Sequence, residues 1–531
     1  MPASLDRRAW LAGAAALGAA GAARAEPVAT AATRPVPTSN GPVVGTTADG
    51  VHAFRGVRYG APPVGPLRFR PPRRPEPWTR PEGCVNYAHS AMQLASGGGA
   101  ATYPGVIGIA LAQGMDSRQD VTRQDEDCLF LNVWTPTLDP QAKTPVMVWF
   151  HGGGFNYGSG SWLFYSGQNL ARRHGVTVVT VNHRLNIFGY LEVPGAPGSG
   201  NAGQLDLVMA LEWVRDNIAA FGGDPGRVTI FGQSGGGAKV STLLATPAAR
   251  GLFHRAIIQS GPGLRGVPAE DAARVAAGVM KAAGASDLAG LQALPASRLA
   301  AIARGAGEAA RWAPVVDGTT LPRHPFEPDA SPLGAAVPVL VGCTADERTL
   351  YNVGQPWWGR LSAAEAEQRA AALPGGKGPA LMAAFRRLRP QDSPSYLLTD
   401  VQTAAGAFAG SVTLAERKAA QGGAPVWSYL WEWGAPVEGG VMRAPHTQEI
   451  PFVFDNVELG PIWLGQAPAT RALARTAAAS WTAFARTGDP NAPGLPRWPA
   501  YEAGRRSTMI FNTRPRLEQD PWGEVRRALA A

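Results

Sequence analysis

A serine bracketed by glycines is the first residue in this sequence whose setting suggests chemistry: Ser234, in Gly232-Gln233-Ser234-Gly235-Gly236. A β-type apolar run at 228–231 precedes it, and small residues follow. A tight turn from a strand into a helix lifts a serine hydroxyl out of a sheet, and flanking glycines remove the Cβ atoms that such a turn would crowd. The stretch therefore predicts a nucleophilic serine. Because the chain has 65 glycines, an ordinary glycine-rich turn is the alternative.

Acyl transfer by a serine also needs a base, a group that orients the base, and donors for the developing oxyanion. Donors are suggested by His151-Gly152-Gly153-Gly154, which directly follows the apolar run 145–150. Glycine N–H groups can approach a substrate oxygen closely, and one such donor contributes about 3 kcal/mol to transition-state stabilisation. We expect Gly235 to add its own N–H at the start of the following helix.

The elements that must position these residues alternate between strands and helices. Strand-length apolar runs occur at 129–134, 145–150, 176–181, 228–231, 255–259, 337–341 and 426–433, and helical patterns at 201–221, 268–310, 361–421 and 470–487. Continuously apolar runs fit strands buried on both faces. The alternation predicts an α/β fold with a mostly parallel central sheet flanked by helices. The blocks 268–310 and 361–421 are expected as helical insertions over the carboxyl ends of the strands, where such folds place their sites.

Several further motifs, in a fixed order, resemble those of the type-B carboxylesterases. They are Phe54-Arg55-Gly56-Val57-Arg58-Tyr59 with the Pro-Pro-Val-Gly that follows, Glu126-Asp127-Cys128-Leu129-Phe130-Leu131-Asn132-Val133, the glycine loop, Gly200-Asn201, Phe221-Gly222-Gly223-Asp224-Pro225, the serine turn, and Gly251-Leu252-Phe253-His254. The resemblance covers nearly all of the chain beyond its N-terminal segment. It implies an α/β-hydrolase fold and a serine carboxylic-ester hydrolase, in a family that also includes cholinesterases and bacterial aryl esterases.

The resemblance also locates the remaining site residues. Gly342-Cys343-Thr344-Ala345-Asp346-Glu347 looks like the family's acid loop and implies Glu347 as the acid, with Asp346 as the local competitor. The segment from Pro445 to Phe454 looks like the histidine loop and implies His446 as the base. The expected catalytic residues are Ser234, Glu347 and His446, and the expected oxyanion donors are the N–H groups of Gly153, Gly154 and Gly235. The reaction would proceed through an acyl-enzyme that water hydrolyses.

Such a reaction involves only a small ester and water, so no metal and no organic cofactor are expected. The sequence has no HExxH, no paired CxxC and no phosphate-binding loop. An amidase, a lipase or a carbamate hydrolase would use the same site, and these alternatives stay open. A non-catalytic binding module on the same fold typically lacks the serine or the histidine, and both stand in place here.

Two residues beside the serine depart from the family pattern. Gln233 stands where glutamate is usual, which removes a negative charge next to the serine and histidine. This departure predicts a weaker attraction for cationic substrates. Gly235 stands where alanine is usual, and because glycine supplies the same N–H, little change is expected from it.

Three cysteines exclude a disulfide framework. In the family, the Cys of a C-x-Q motif pairs with the Cys of E-D-C-L, but here the first motif reads Ala91-Met92-Gln93. Cys128 has therefore lost its usual partner, and Cys84 can replace it only if the loop is rearranged. Cys343 is expected to be a buried free thiol.

The N-terminus has the pattern of an export signal. Arg7-Arg8 precedes a weakly apolar Ala/Gly/Leu stretch, and Ala23-Arg24-Ala25 fits a small-x-small cleavage site. We expect residues 1–25 to be a signal peptide of the twin-arginine type, and the protein to be exported, periplasmic or secreted. Residues 26–40 are expected to form a flexible lead-in. No linker or repeat divides residues 41–531, which are expected to form one large α/β-hydrolase domain.

The formal net charge is +9, but the basic residues are dispersed, so no nucleic-acid partner is expected. Outside the N-terminal segment no stretch approaches 18 uninterrupted apolar residues, so no membrane span is expected. The oligomeric state stays open between monomer and dimer, as do the physiological ester and its acyl chain length. Trp162, Trp357 and Trp358 either line a substrate pocket or pack in the core.

Overall fold

A twelve-stranded sheet forms the centre of the computed structural model, which describes residues 30–94, 123–307 and 310–530. Its strands, numbered along the chain, are β1 (Ala31–Ala32), β2 (Thr46–Ala48), β3 (Val51–Arg58), β4 (Phe130–Thr135), β5 (Thr144–Phe150), β6 (Thr177–Val181), β7 (Gly223–Gln233), β8 (Arg255–Gln259), β9 (Val339–Thr344), β10 (Val426–Trp431), β11 (Ser507–Phe511) and β12 (Arg516–Gln519). Their spatial order is β1-β2-β3-β4-β6-β5-β7-β8-β9-β10-β11-β12. The single sheet thus joins segments from both ends of the described chain.

Seven neighbouring strands of the sheet run parallel to one another, in the spatial order β6, β5, β7, β8, β9, β10 and β11. Antiparallel strands extend the sheet at both edges. Every residue of β6 and of β10 is buried, as expected for strands covered on both faces. The predicted α/β-hydrolase architecture, with a mostly parallel central sheet flanked by helices, is confirmed. Three two-stranded parallel pairs lie outside the main sheet: Val43–Val44 with Glu82–Gly83, Ser90–Ala91 with Gln124–Asp125, and Val267–Pro268 with Val315–Val316.

The helices of the described residues, numbered α1 to α16 along the chain, fall largely where the helical patterns were found. They are Gln168–His174, Asn186–Tyr190, Ala202–Asn217, Gly235–Leu243, Ala269–Ala283, Leu288–Gln292, Ala296–Gly305, Thr349–Asn352, Ala363–Ala371, Gly378–Leu388, Pro394–Thr403, Ala409–Ala420, Ile450–Val453, Pro461–Leu464, Pro468–Thr487 and Gly523–Ala530. Among the helices of the described residues, none combines the length and the apolarity needed to cross a membrane.

The alternation of side chains along the strands divides the core into two layers, one on each face of the sheet. In β5, Met147 and Trp149 belong to one buried cluster, while Val146, Val148 and Phe150 belong to the other. The Trp149 ring lies about 5 Å from the rings of Tyr165, Phe231 and Phe454 (4.9, 4.8 and 5.0 Å between centroids). This packing fixes the carboxyl ends of β5 and β7, from which the glycine loop and the serine turn emerge.

The helical block between β9 and β10 contacts the loop that carries the predicted acid. Arg389, which follows α10 (Gly378–Leu388), donates to Asp346 Oδ1 at 2.9 Å and to Asp400 Oδ1 of α11 (Pro394–Thr403) at 2.7 Å. In α8 (Thr349–Asn352), the Tyr351 ring lies 5.7 Å from the ring of His446. The block therefore supports the edge of the sheet where the predicted site lies.

The described part of the expected lead-in is packed against the sheet. Ala31–Ala32 forms β1, which pairs with β2. Val36 forms a bridge with Val43, and its side chain is fully buried. Residues 30–40 therefore differ from the flexible chain that their Pro/Ala/Thr-rich composition indicated, because their backbone pairs with neighbouring strands and the Val36 side chain joins the core. Residues 1–25, the predicted export signal, lie outside the described residues.

The three cysteines all lie in the described part of the chain and are buried free thiols. Burial raises the pKa of the Cys84 thiol to about 12, and burial also raises the pKa values of the Cys128 and Cys343 thiols. The Cys84–Cys128 bridge considered from the sequence is not formed, and Cys343 is the buried thiol that was expected.

Candidate active site

Ser234 lies at the junction between β7, which ends at Gln233, and α4 (Gly235–Leu243). Its backbone has φ 58° and ψ −124°, a conformation that a residue with a Cβ rarely adopts. The turn is held by a hydrogen bond from Ser234 N–H to the Gln259 carbonyl oxygen at 2.8 Å. A Cβ at Gly232 would lie 2.5 Å from the carbonyl carbon of Gly236, so the glycines are sterically required. The predicted strained serine turn is thus present.

Glu347 and His446 meet directly although they lie on separate loops. Glu347 follows β9 by three residues, and its Oε1 accepts a hydrogen bond from Thr344 N–H at 2.7 Å. Its Oε2 is hydrogen-bonded to His446 Nδ1. Both side chains are buried. Because the carboxylate engages Nδ1, the ring is set to carry its proton there and to present Nε2 as an acceptor.

Asp346, the local competitor for the acid, is engaged elsewhere. Its carboxylate receives hydrogen bonds from Arg389 at 2.9 Å and from Ala444 N–H at 3.3 Å. The geometry therefore joins Glu347, and not Asp346, to the histidine.

Gln233 stands between the serine turn and the histidine. Its Nε2 lies 3.3 Å from both ring nitrogens of His446. Among the hydrogen bonds of the described residues, none joins Ser234 Oγ to the imidazole, so the structure links the serine to the other two residues through its chain neighbour. Hydrogen bonds to a nucleophile are commonly long without substrate and shorten when it binds.

The glycine loop packs directly on the serine turn. A Cβ at Gly152 would lie 3.5 Å from Ser234 Cβ, and a Cβ at Gly235 would lie 2.1 Å from the Gly154 carbonyl oxygen. Gly153 and Gly154 have φ values of 84° and 60°. Within the described ranges, the N–H groups of Gly153, Gly154 and Gly235 have no hydrogen-bond acceptor, and the first amides of a helix have none inside it. Three free donors therefore flank the serine.

This packing corrects one expectation about Gly235. Alanine was expected to be nearly equivalent there, because either residue supplies the same N–H. The Gly154 backbone approaches so closely that a Cβ on residue 235 has no room. The distance between the Gly154 backbone and residue 235 determines whether a Cβ fits, and no local sequence pattern indicates that distance.

Lys239 is a buried residue of the site that the sequence reasoning missed. It lies on α4, and its Nζ donates to the carbonyl oxygens of His151 at 2.9 Å and Gly154 at 3.0 Å. Complete burial lowers the pKa of this ammonium to about 7. A lysine inside a run of small residues, Gly236-Gly237-Ala238-Lys239, was the available signal.

Glu449 is a second buried group that was missed, three residues after His446. Burial, and then the charge of Glu347, raise the pKa of its carboxyl to about 7. Gln259 Nε2 lies 3.4 Å and Ser260 Oγ lies 3.5 Å from its Oε1. Across the described part of the chain, no three His, Cys, Asp or Glu side chains are grouped so as to hold a metal ion.

Comparison with known proteins decides the family. The chain matches the carboxylesterase family over residues 32–367 and 389–526. It belongs to that family. A para-nitrobenzyl esterase of Bacillus subtilis (strain 168) is 35% identical over 508 residues, which cover 93% of this carboxylesterase and 98% of the relative. A phenmedipham hydrolase of Pseudarthrobacter oxydans is 33% identical over 520 residues, 94% of this chain and 98% of the relative.

Solved structures agree with this assignment. A Geobacillus stearothermophilus carboxylesterase has a TM-score of 0.80 and 34% sequence identity, covering 94% of this chain and all (100%) of its own. The predicted family membership is thereby confirmed, and this carboxylesterase is a serine hydrolase that acts on ester bonds.

Proposed function

We propose that this carboxylesterase hydrolyses its substrate through an acyl-enzyme on Ser234, with His446 as general base and Glu347 as the residue that orients the imidazole. The observation that carries the proposal is the hydrogen bond between Glu347 Oε2 and His446 Nδ1, formed across 99 residues of sequence. With Nδ1 occupied, Nε2 is the ring nitrogen available to take a proton from the serine.

In the first half of the reaction, Ser234 Oγ attacks the ester carbonyl carbon while its proton passes to His446 Nε2. The carbonyl electron pair moves onto oxygen, which binds the N–H groups of Gly153, Gly154 and Gly235. The imidazolium then protonates the leaving alcohol as the carbon–oxygen bond breaks. In the second half, water gives a proton to His446, attacks the acyl-enzyme, and releases the acid and Ser234.

The substrates that fit best are small neutral carboxylic esters. Gln233 places an uncharged amide, and not a carboxylate, beside the histidine, which gives no electrostatic attraction for a cationic alcohol group. A relative named for para-nitrobenzyl ester hydrolysis supports aryl or benzyl esters as first substrates. Another relative is named for a different substrate, phenmedipham, so amide and carbamate bonds belong in the same screen.

The test combines labelling with a substrate series. A fluorophosphonate probe should label the folded wild-type chain and leave Ser234→Ala unlabelled. Hydrolysis of p-nitrophenyl esters of increasing acyl length should fall to background in Ser234→Ala, with p-nitroacetanilide and a p-nitrophenyl carbamate as the amide and carbamate arms. A labelled, active Ser234→Ala enzyme would disprove the assignment.

We also propose that residues 1–25 direct export through the twin-arginine route. The proposal is supported by Arg7-Arg8, the apolar stretch and Ala23-Arg24-Ala25. Exported protein should begin at Glu26 on N-terminal sequencing, and the double change Arg7→Lys, Arg8→Lys should retain the full-length chain inside the cell. Export of the doubly changed chain at the normal rate would refute this route.

A further inference from the structure

Lys239 is a fully buried cation that faces the oxyanion loop, the segment from His151 to Gly154. Its two acceptors are the carbonyl oxygens at the two ends of that loop, at 2.9 Å on His151 and 3.0 Å on Gly154. Its Nζ also lies 5.4 Å from the centre of the Phe155 ring. Within the described residues it forms no ion pair with any carboxylate. A buried ammonium without a counter-charge is costly, and its position therefore calls for an explanation.

We propose that Lys239 is a positioning residue for ester hydrolysis: its ammonium holds the oxyanion loop in its donor geometry and supplies the positive charge that the developing oxyanion meets. The inference rests on the proposed function, specifically on the N–H groups of Gly153, Gly154 and Gly235 as the oxyanion donors.

The geometry explains how one side chain can position two of the three donors. The peptide groups that carry the Gly153 and Gly154 N–H donors lie between the two carbonyls that Lys239 binds. The Gly154 carbonyl also packs closely on Gly235, because its oxygen lies 2.1 Å from where a Cβ of that residue would be. Lys239 and Gly235, both on α4, therefore hold the Gly154 end of the oxyanion loop in place. Donors held in place before the reaction are the effective ones, because no reorganisation is needed.

The charged and titratable groups around Lys239 do not balance its positive charge, so the developing oxyanion is the anion that would do so. The titratable groups that interact with Lys239 are His151 and His183, whose rings lie 4.8 Å apart. Burial, and then the charge of Lys239, lower the pKa values of both imidazoles well below their usual range, so both are neutral. Arg184, beyond His183, is neutralised by Asp206 of α3 at 2.6 Å. A negative charge forming at the loop thus meets an uncompensated cation in a site of low dielectric constant.

A dependence on pH follows from the same burial. Desolvation lowers the pKa of Lys239 to about 7, so the ammonium loses its proton as the pH rises above neutrality. Activity should therefore fall on the alkaline side as Lys239 loses its proton. Formation of the oxyanion favours the charged lysine, so a ligand that creates one should take up a proton at alkaline pH.

The experiment compares the wild-type enzyme with Lys239→Met and a matched control, Lys418→Met. Lys418 is a second buried lysine that donates to two carbonyl oxygens, Gly334 at 2.9 Å and Ala335 at 2.8 Å, but these precede the amino end of β9, whereas the serine turn follows the carboxyl end of β7. In Lys239→Met, kcat should fall about 10- to 100-fold with KM little changed, as for a misplaced catalytic array. Its alkaline limb should disappear, whereas Lys418→Met should keep both kcat and the limb.

A second measurement needs only the wild-type chain and a trifluoromethyl ketone. Ser234 Oγ adds to the ketone carbon, the carbonyl electron pair becomes an alkoxide in the oxyanion loop, and the serine proton passes to His446. Affinity should weaken above neutral pH, and calorimetry in buffers of different ionisation enthalpy should detect uptake of a proton near pH 8.5. A Lys239→Met enzyme with wild-type kcat and pH profile, or a wild-type affinity constant from about pH 7 to about pH 9, would overturn the proposal.

These outcomes are separable from failure of the proposed function. If Ser234 is not the nucleophile, Ser234→Ala stays active and is still labelled by the fluorophosphonate probe, whatever the effect of Lys239→Met. If Lys239 has no positioning role, Ser234→Ala is inactive while Lys239→Met matches Lys418→Met in kcat and pH profile.

Discussion

The side-chain amide nitrogen of Gln233 lies 3.3 Å from each ring nitrogen of His446, so the residue before Ser234 contacts this imidazole and not the solvent. Gln233 is itself buried. A charge introduced at this position would therefore act on the imidazole with little screening.

Gln233→Glu should stabilise the protonated imidazole of His446, because it places a carboxylate close to both ring nitrogens. The acid limb of kcat/KM should move upward by about one pH unit or more. The kcat/KM value for a choline ester should increase relative to that for its neutral isostere, which has a carbon in place of the nitrogen. Gln233→Met is the control, since it removes the amide without adding charge. An unchanged limb together with an unchanged preference would show that this position does not tune the base.

Gly235→Ala should damage the oxyanion loop even though it keeps the backbone N–H. The added Cβ would lie 2.1 Å from the Gly154 oxygen and 2.4 Å from its Cα, so the loop must move by about 1 Å to restore a normal contact. We expect kcat to fall about 100-fold, because a displacement of this size near the reacting atoms has that effect. Kinetics with a p-nitrophenyl ester measure it. Gly278→Ala is the matched control, since a Cβ there meets nothing within 4 Å. Equal kcat values for Gly235→Ala and Gly278→Ala would contradict the close approach of Gly154 to Gly235.

Glu347→Gln should preserve the fold and lower kcat about 10⁴-fold, as when the triad acid is replaced by its amide in other serine hydrolases. An amide facing His446 can donate a hydrogen bond to Nδ1, which favours the tautomer with its proton on Nε2, and this tautomer cannot accept a proton from Ser234. Asp346→Asn is the informative comparison. Its carboxylate binds Arg389 and Ala444, so this variant should lose stability but retain most of kcat. The reverse ranking in kcat would reassign the acid to Asp346.

Lys239→Met should change how stability depends on pH. The pKa of the buried lysine is lowered from 10.5 to about 7, so between these values the unfolded chain binds the proton more tightly than the folded one. Wild-type stability should therefore rise with pH through this window, by up to about 5 kcal/mol. The variant lacks the titrating group and should lack the rise. Urea unfolding near pH 6 and near pH 9.5 measures the difference, and Lys281→Met, exposed on α5, is the control. Parallel pH profiles for wild type and Lys239→Met would be inconsistent with a buried titrating lysine.

Glu449→Gln should act on stability in the opposite direction. Burial raises the pKa of this carboxyl from 4.5 to about 7, so the folded state holds the proton more tightly. Its contribution to stability is complete below pH 4.5 and is lost as the pH rises through about 7. An amide cannot ionise, so the variant should gain thermal stability over wild type near pH 8.5 and match it near pH 5. Glu270→Gln, exposed on α5, serves as the reference. A gain that is equal at both pH values would argue against titration of Glu449.

The sequence by itself determined the strained serine turn, the glycine loop after β5, and the α/β architecture. Each depends on local requirements: small residues where a backbone turns sharply, and continuous apolar runs where a strand is covered on both faces. The family resemblance then implied Glu347 and His446, on loops whose motifs are also local. The composition of residues 30–40 did not indicate their structure, because Ala31–Ala32 pairs with β2 and Val36 is buried beside Val43.

Only the tertiary structure decided which carboxylate meets His446, how closely Gly154 approaches Gly235, and that Lys239 and Glu449 are buried. These properties are distances between segments far apart in the chain, and they depend on how the two layers of the core and the helical block pack together. Burial then changes the chemistry of a side chain, because removing water shifts its pKa, and no stretch of sequence states how much water remains. The strained serine turn was therefore predictable from five residues, while the electrostatics around it became apparent only from the folded chain.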